Sequence, residues 1–317
     1  MAAATTIKVP HLGGITAGYR LSGGVVDPRK PTLVLINSMC TTSALFESQF
    51  SSKALTDALN LLAIEPLGHG ATSCPSEHFT YWDTAIMALQ VMDALKINKA
   101  FALGTSQGGW MVVRMALLAP ERILGLLPLG TSMDYESAAS REKGCWDPKT
   151  SLKGFIESWT STEPTPDFVV DEALAQSVSM LGFSGAASPK TMAFWNETIK
   201  SVYSGDNGRK KVRMATLNLC HRDGLLTRLG DVKCPVYWLQ GPDDPVYGKI
   251  VPNEHIKLFT SSPEATITFV EGGGHFLNAT SPKETEEAIL KMVKKYSSQE
   301  SLEQDYAWNL LQRSHRI

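Results

Sequence analysis

Short apolar runs alternate with stretches of helical period along most of this 317-residue chain, and that alternation leaves few folds open. An opening pair at 7–12 and 15–22 is followed by strand-like runs at 32–37, 59–66, 100–105, 123–130, 236–241 and 266–271. The later runs are almost wholly apolar, as strands covered on both faces are. Helical signals lie between them. At 83–96, Ile86, Leu89, Met92 and Leu95 recur every three positions. At 281–299, Ser281, Pro282 and Glu284 supply an N-cap, a first-turn proline and a capping-box acid. The expectation is an α/β fold on a mostly parallel eight-stranded sheet.

The alternation stops between about 135 and 230. Helices near 150–160, 167–180, 189–204 and 209–228 are punctuated by Pro164, Pro166, Gly182, Gly185, Pro189 and Gly205, with no convincing strand. Strand alternation resumes at Pro235, so this stretch reads as a helical cap inserted into one sheet. The expected organisation is a core of 1–134 and 231–299, a cap at 135–230, and a tail or docking helix at 300–317.

Composition narrows the function classes. Thirty Lys and Arg against 32 Asp and Glu give a net charge of −2, which offers no footprint for nucleic acid or an anionic membrane. With 43% apolar and 20% charged residues the chain is an ordinary globular one. Cys40, Cys74, Cys145, Cys220 and Cys234 are scattered without a C-x-x-C pair, which suggests neither a disulfide framework nor a zinc site. Residues 1–10 lack the run of a secretory signal, no apolar stretch reaches 18 residues, and the final Ser314-His315-Arg316-Ile317 does not match the simplest peroxisomal ending. A cytoplasmic location is expected, with a homodimer left open.

Gly104-Thr105-Ser106-Gln107-Gly108 lies between a strand and a helix and fits G-x-S-x-G, the nucleophile elbow. The spacing is steric: the serine sits in a strained turn, and side chains two positions either side would collide where strand and helix approach. A serine hydroxyl needs a base, and the base an orienting carboxylate. His275 follows the last strand in Glu271-Gly272-Gly273-Gly274-His275 and is the expected base, while His69 in Gly68-His69-Gly70 reads as a structural turn residue. Strand 236–241 ends in Gly241-Pro242-Asp243-Asp244-Pro245. Asp244 is the expected acid, Asp134 the fallback, and the alternative is that both aspartates of the turn only cap it. The order Ser106, Asp244, His275 is the one that goes with this elbow. An oxyanion needs two donors, for which the backbone N–H groups of Gln107 and Met39 are the candidates.

The chain resembles an α/β-hydrolase from about residue 15 to 295. Asn37-Ser38-Met39-Cys40-Thr41-Thr42, Gly68-His69-Gly70-Ala71-Thr72-Ser73, Ser106-Gln107-Gly108-Gly109 and Ala119-Pro120-Glu121-Arg122 are similar to 3-oxoadipate enol-lactonases, with Cys40 for the usual glycine and Glu65 for the usual aspartate. Ser106-Gln107-Gly108 is also similar to fungal zearalenone lactonases, whose acid would fall near Gly130, where no carboxylate stands. The resemblance implies a metal-free serine hydrolase that opens a lactone or ester through an acyl-enzyme and needs no cofactor. Carbon–carbon bond hydrolases and a receptor-like ligand-binding member with slow turnover are the alternatives.

The expected partner is a small lactone or ester. Asn37, Ser38, Trp146, Trp159 and Trp195 are candidate substrate contacts, and the substrate is apolar if the cap aromatics, which also include Phe155, Phe183, Phe194 and Tyr203, face the cleft. The alternative is that these aromatics pack the cap's own core, as Trp110 is expected to pack against the sheet.

Overall fold

A computed structural model describes residues 5–297. Eight strands, β1 (Thr5–Val9), β2 (Ile15–Leu21), β3 (Thr32–Ile36), β4 (Asn60–Ile64), β5 (Ala100–Thr105), β6 (Ile123–Leu129), β7 (Val236–Gln240) and β8 (Ala265–Phe269), form one sheet in the order β1-β2-β4-β3-β5-β6-β7-β8. Both pairings of β2 are antiparallel and the rest are parallel. Each expected strand is present, with ends shifted by a few residues.

The period-two pleat sorts the apolar runs onto two faces. Leu33, Leu35, Leu61, Ala63, Phe101 and Leu103 belong to one core, and Val34, Ile36, Leu62, Ile64, Ala100 and Ala102 to the other. Each leucine, valine, isoleucine or phenylalanine among them, fully buried, contributes about 1.5–3 kcal/mol. Two short helices, α1 (Glu47–Ser51) and α2 (Lys53–Ala58), precede β4. Leu55 of α2 covers the first face together with Ile289, Met292 and Val293 of a helix at 282–297. The second face is covered by α3 (Tyr81–Ala94) and α4 (Gln107–Leu118). Helix α3 starts at a capping box, where Thr80 Oγ1 accepts from Asp83 N–H and the Asp83 carboxylate accepts from Thr80 N–H.

Between β6 and β7 run α5 (Ala138–Glu142), α6 (Pro148–Ser158), α7 (Glu172–Gly182), α8 (Pro189–Val202) and α9 (Gly205–His221), followed after β7 by α10 (Ile250–His255) and α11 (Leu277–Thr280). The segment is helical as expected, with two differences. An additional short helix, α5, stands at its start, capped by Ser137, and α9 ends at His221 where a helix to 228 was expected. The reason is Arg222, extended at φ −63, ψ 152, whose buried guanidinium turns back to bond Leu219 O and pair with Glu136. Residues 300–317, expected to be a tail or docking helix, lie outside the described residues. No helix among the described residues is long and apolar enough to cross a membrane.

Candidate active site

Parallel strands deliver their C-terminal ends to one edge of the sheet, the usual place for ligands in such folds. Ser106 follows β5 at φ 54, ψ −122, a conformation non-glycine residues rarely adopt. It is held there by Ser106 N–H to Leu129 O (2.8 Å) and Gly109 N–H to Ser106 O (2.8 Å). A Cβ at Gly108 would sit 2.2 Å from Ile36 O, and one at Gly104 would sit 2.1 Å from Gly108 O. Strand and helix therefore approach this closely only with glycine at both positions.

Asp244 and His275, 31 residues apart, meet beyond β7 and β8. His275 Nδ1–H donates to Asp244 Oδ2 at 2.9 Å, with both side chains buried. The carboxylate is otherwise saturated: Oδ2 also accepts from Gln240 Nε2 (2.9 Å), and Oδ1 from Val246 N–H (2.8 Å) and Tyr247 N–H (3.4 Å). That bond leaves the other ring nitrogen, Nε2, free to accept a proton. The helices between β6 and β7 hold the histidine loop, since His275 N–H donates to Ser184 Oγ (3.2 Å) and Phe276 N–H to Gly182 O (2.7 Å).

Ser106, His275, Ser38 and Met39 border one cavity of about 320 Å³, whose other walls come mainly from α6, α7 and the Val246–Tyr247 turn. Among the described residues no hydrogen bond joins Ser106 Oγ to His275, and neither Met39 N–H nor Gln107 N–H has an acceptor in the protein. The loop after β3 is stiff. Asn37 Nδ2 donates to Thr41 O (2.8 Å) and Ser38 O (3.2 Å), and Thr41 Oγ1 donates to Ser38 O (2.8 Å). Cys40 takes φ 57, which explains why glycine suits this position in related loops, and burial pushes its thiol up to about 12.

Glu65 ties this loop to the Gly68-His69-Gly70 turn. Its Oε1 accepts from Ser43 N–H (2.9 Å) and Ser43 Oγ (3.0 Å), and its Oε2 from Ala71 N–H (2.7 Å). His69, fully buried and held down to about 4 by that burial, donates from Nδ1 to Leu67 O (3.0 Å) and accepts at Nε2 from the Gln107 amide (2.9 Å). Tyr81 hydroxyl donates to the same amide at 3.1 Å. The side chain beside the serine is thus fixed from two directions.

A sequence profile described as the alpha/beta hydrolase fold matches residues 31–282. The chain belongs to this family. Its fold is similar to that of a hydrolase from Pseudomonas aeruginosa PA01, with 24% identity and a TM-score of 0.64 over 91% of this chain and 98% of that one. The enol-lactonase from Burkholderia xenovorans LB400 shares 19% identity at a TM-score of 0.70 (88% and 97% covered). A thermophilic esterase from Thermogutta terrifontis shares 17% at 0.68 (92% and 99% covered).

Within this α/β-hydrolase frame the sequence-expected contacts divide. Ser38 and Trp146 border the cavity. Asn37, Trp159 and Trp195 do not, and each has a physical reason. The Asn37 Nδ2 group is spent on its own loop, while its buried Oδ1 has no partner among the described residues. Trp159 is buried against Phe155 at the end of α6, and its Nε1–H donates to Asp171 Oδ2 at 2.9 Å. Trp195 packs on Phe194 and joins Leu45, Phe183 and Phe276 in a separate cluster. Phe155 lines the cavity, while Tyr203 is buried with its hydroxyl donating to Gly68 O (3.0 Å).

Asp134, the fallback acid, does not meet His275. Burial works to raise its carboxyl, but hydrogen bonds from Ser137 and Ser140 outweigh this and hold it below the usual carboxylate range. Sequence reasoning missed Tyr247, whose ring lies 5.6 Å from that of His275 and 5.4 Å from that of Trp110, and the buried Glu136–Arg222 pair behind it. A tyrosine three residues after the expected acid was the one available signal.

Proposed function

We propose that this chain is a serine hydrolase that cleaves a carboxylic ester or lactone through an acyl-enzyme. Ser106 Oγ attacks the carbonyl carbon while His275 Nε2 takes its proton, and Asp244 holds the imidazole in the required tautomer and stabilises the cation that forms. The N–H groups of Met39 and Gln107 receive the oxyanion. Collapse of the tetrahedral intermediate expels the alkoxide, protonated by His275. In a lactone the alkoxide stays tethered to the acyl group. Water activated by His275 then releases the acid and restores the serine.

The observation that carries this reading is the 2.9 Å Asp244–His275 contact at the cavity that Ser106 also borders, with Ser106 in the elbow conformation. Catalytic hydrogen bonds are often long in free enzymes and tighten with substrate, which accommodates the unformed serine–histidine contact. The esterase and enol-lactonase among the similar structures support the substrate class. On this reading 1–134 and 231–299 form the catalytic core and 135–230 its cap.

The test is Ser106→Ala assayed on a panel of simple esters and lactones, with fluorophosphonate labelling of the wild type. Stoichiometric labelling at Ser106 and loss of nearly all turnover in a folded variant are expected. Full activity in the variant would overturn the proposal, and labelling without turnover would assign the site to ligand binding instead.

A further inference from the structure

Among the described residues, the wall of the cavity beside Ser106 has no Lys, Arg, Asp or Glu. Its polar side-chain groups are the hydroxyls of Ser38, Ser106, Ser151 and Ser177, the Tyr247 phenol, the His275 ring and the Trp146 indole, whose buried Nε1–H has no partner among the described residues. Burial keeps that phenol far above its ordinary range, so it stays neutral. Opposite the serine the wall is aliphatic and aromatic, formed by Leu152 and Phe155 of α6, Leu174, Val178 and Leu181 of α7, and Trp146. Ser151 of α6 and Ser177 of α7 are the solvent-exposed residues of this wall.

The buried cation behind Trp110 is unavailable to a ligand. Arg222 is paired with Glu136, and its guanidinium lies 4.1 Å over the Trp110 ring, which in turn packs on Tyr247. A carboxylate carried into this cavity would lose hydration and find neutral hydroxyls but no cation to pair with, and a buried charge without a counter-charge is among the most costly things a protein can hold.

We infer that the substrate is uncharged on its acyl side: a neutral ester or lactone whose hydrocarbon portion lies between α6 and α7. This rests on the hydrolase reading and sharpens it. A substrate that retains a free carboxylate, as the lactone of a dicarboxylic acid such as 3-oxoadipate does, is excluded by the same wall. The volume of about 320 Å³ lies at the small end of small-molecule sites, which sets the size at a short or medium chain.

Two matched pairs test this. The hexanoate ester of p-nitrophenol and its adipate monoester differ only in a terminal CH3 against COO⁻. So do γ-octalactone and its analogue with a terminal carboxylate. The neutral member is expected to exceed the anionic one in kcat/KM by at least about 100-fold. Val178→Lys, which adds a cation at a half-buried wall position, is expected to narrow that ratio at least about tenfold. Equal rates for the two members in the wild type, or an unchanged ratio in the variant, would overturn the inference.

Calorimetry of Ser106→Ala with the two lactones decides the point without turnover. Preference for the neutral lactone supports the inference, whereas no binding by it, or equal binding by the anion, overturns it. Failure of the hydrolase reading shows differently, as an intact binding preference with no fluorophosphonate adduct on the wild type.

Discussion

Asp244→Asn exchanges one oxygen for an NH2 of the same size at the centre of the candidate site. Each oxygen of the carboxylate already accepts two hydrogen bonds, Oδ1 from the backbone of Val246 and Tyr247 and Oδ2 from Gln240 and His275. The asparagine oxygen can serve only one of these pairs. Keeping the backbone donors keeps the turn, and it sets the NH2 against two other donors. His275 then relieves the conflict by moving its proton to Nε2, the nitrogen that the proposed mechanism requires to accept the proton of Ser106. The same exchange in a serine triad costs about 10⁴ in turnover, and at 1.36 kcal/mol per decade that is about 5.4 kcal/mol of transition-state stabilisation.

Folding should suffer far less. Gln240 keeps its second bond, to Gly248 O at 3.0 Å, so the expected loss is about 1–2 kcal/mol. The assay is kcat/KM on p-nitrophenyl butyrate beside urea unfolding, with Asp134→Asn as the control. Asp134 accepts from Tyr135, Ser137 and Ser140 and never meets the imidazole, so its variant should lose about 1–2 kcal/mol of stability with turnover within about threefold of wild type. Retention of more than about a tenth of the activity by Asp244→Asn, or the larger kinetic loss in Asp134→Asn, would refute the assignment of the acid.

The other predictions concern pH, sterics and thiols. His69 and His255 are held down to about 4 by burial, so the unfolded chain binds more protons than the folded one between pH 6.5 and 4. Stability is therefore full above 6.5 and falls as pH falls, by about 2 kcal/mol per histidine at pH 5. Urea midpoints measured from pH 8 to 5 should show this, and a flat profile would contradict it. Gly108→Ala, whose methyl meets Ile36 O, should abolish activity or soluble expression. Gly154→Ala on the open face of α6 should raise stability by roughly 0.5–1 kcal/mol in the same melts. In the native protein, thiol titration should find one accessible cysteine, the half-buried Cys74, and five after unfolding; reaction of Cys40, Cys145, Cys220 or Cys234 without unfolding would count against their burial.

What could be read from the chain, and what could not, follows from how far each constraint reaches. The strands were legible because a parallel strand covered on both faces has to be apolar along its whole length, so Thr32–Ile36 and Val236–Gln240 carry the signal locally. The elbow was legible for the same reason, since its steric condition binds residues two apart. Asp244 and His275 could be placed because strand ends in a parallel sheet converge on one edge, which ties residues 31 apart to a topology already inferred.

The helical segment offers no such lever. Whether an aromatic there faces the cavity depends on how α6, α7 and α9 pack, and Phe155 and Trp159, four apart on one helix end, lead to opposite answers. Trp159 faces away because Asp171, twelve residues on, takes its indole N–H, a long-range pairing with no pattern in sequence. The Glu136–Arg222 pair is the extreme case: two opposite charges 86 residues apart, each unremarkable in its own loop, that together place a buried ion pair behind Trp110 and Tyr247. The identity of the wall is thus set by contacts across elements. The uncharged cavity, on which the inferred substrate preference rests, became readable only once those contacts were in place.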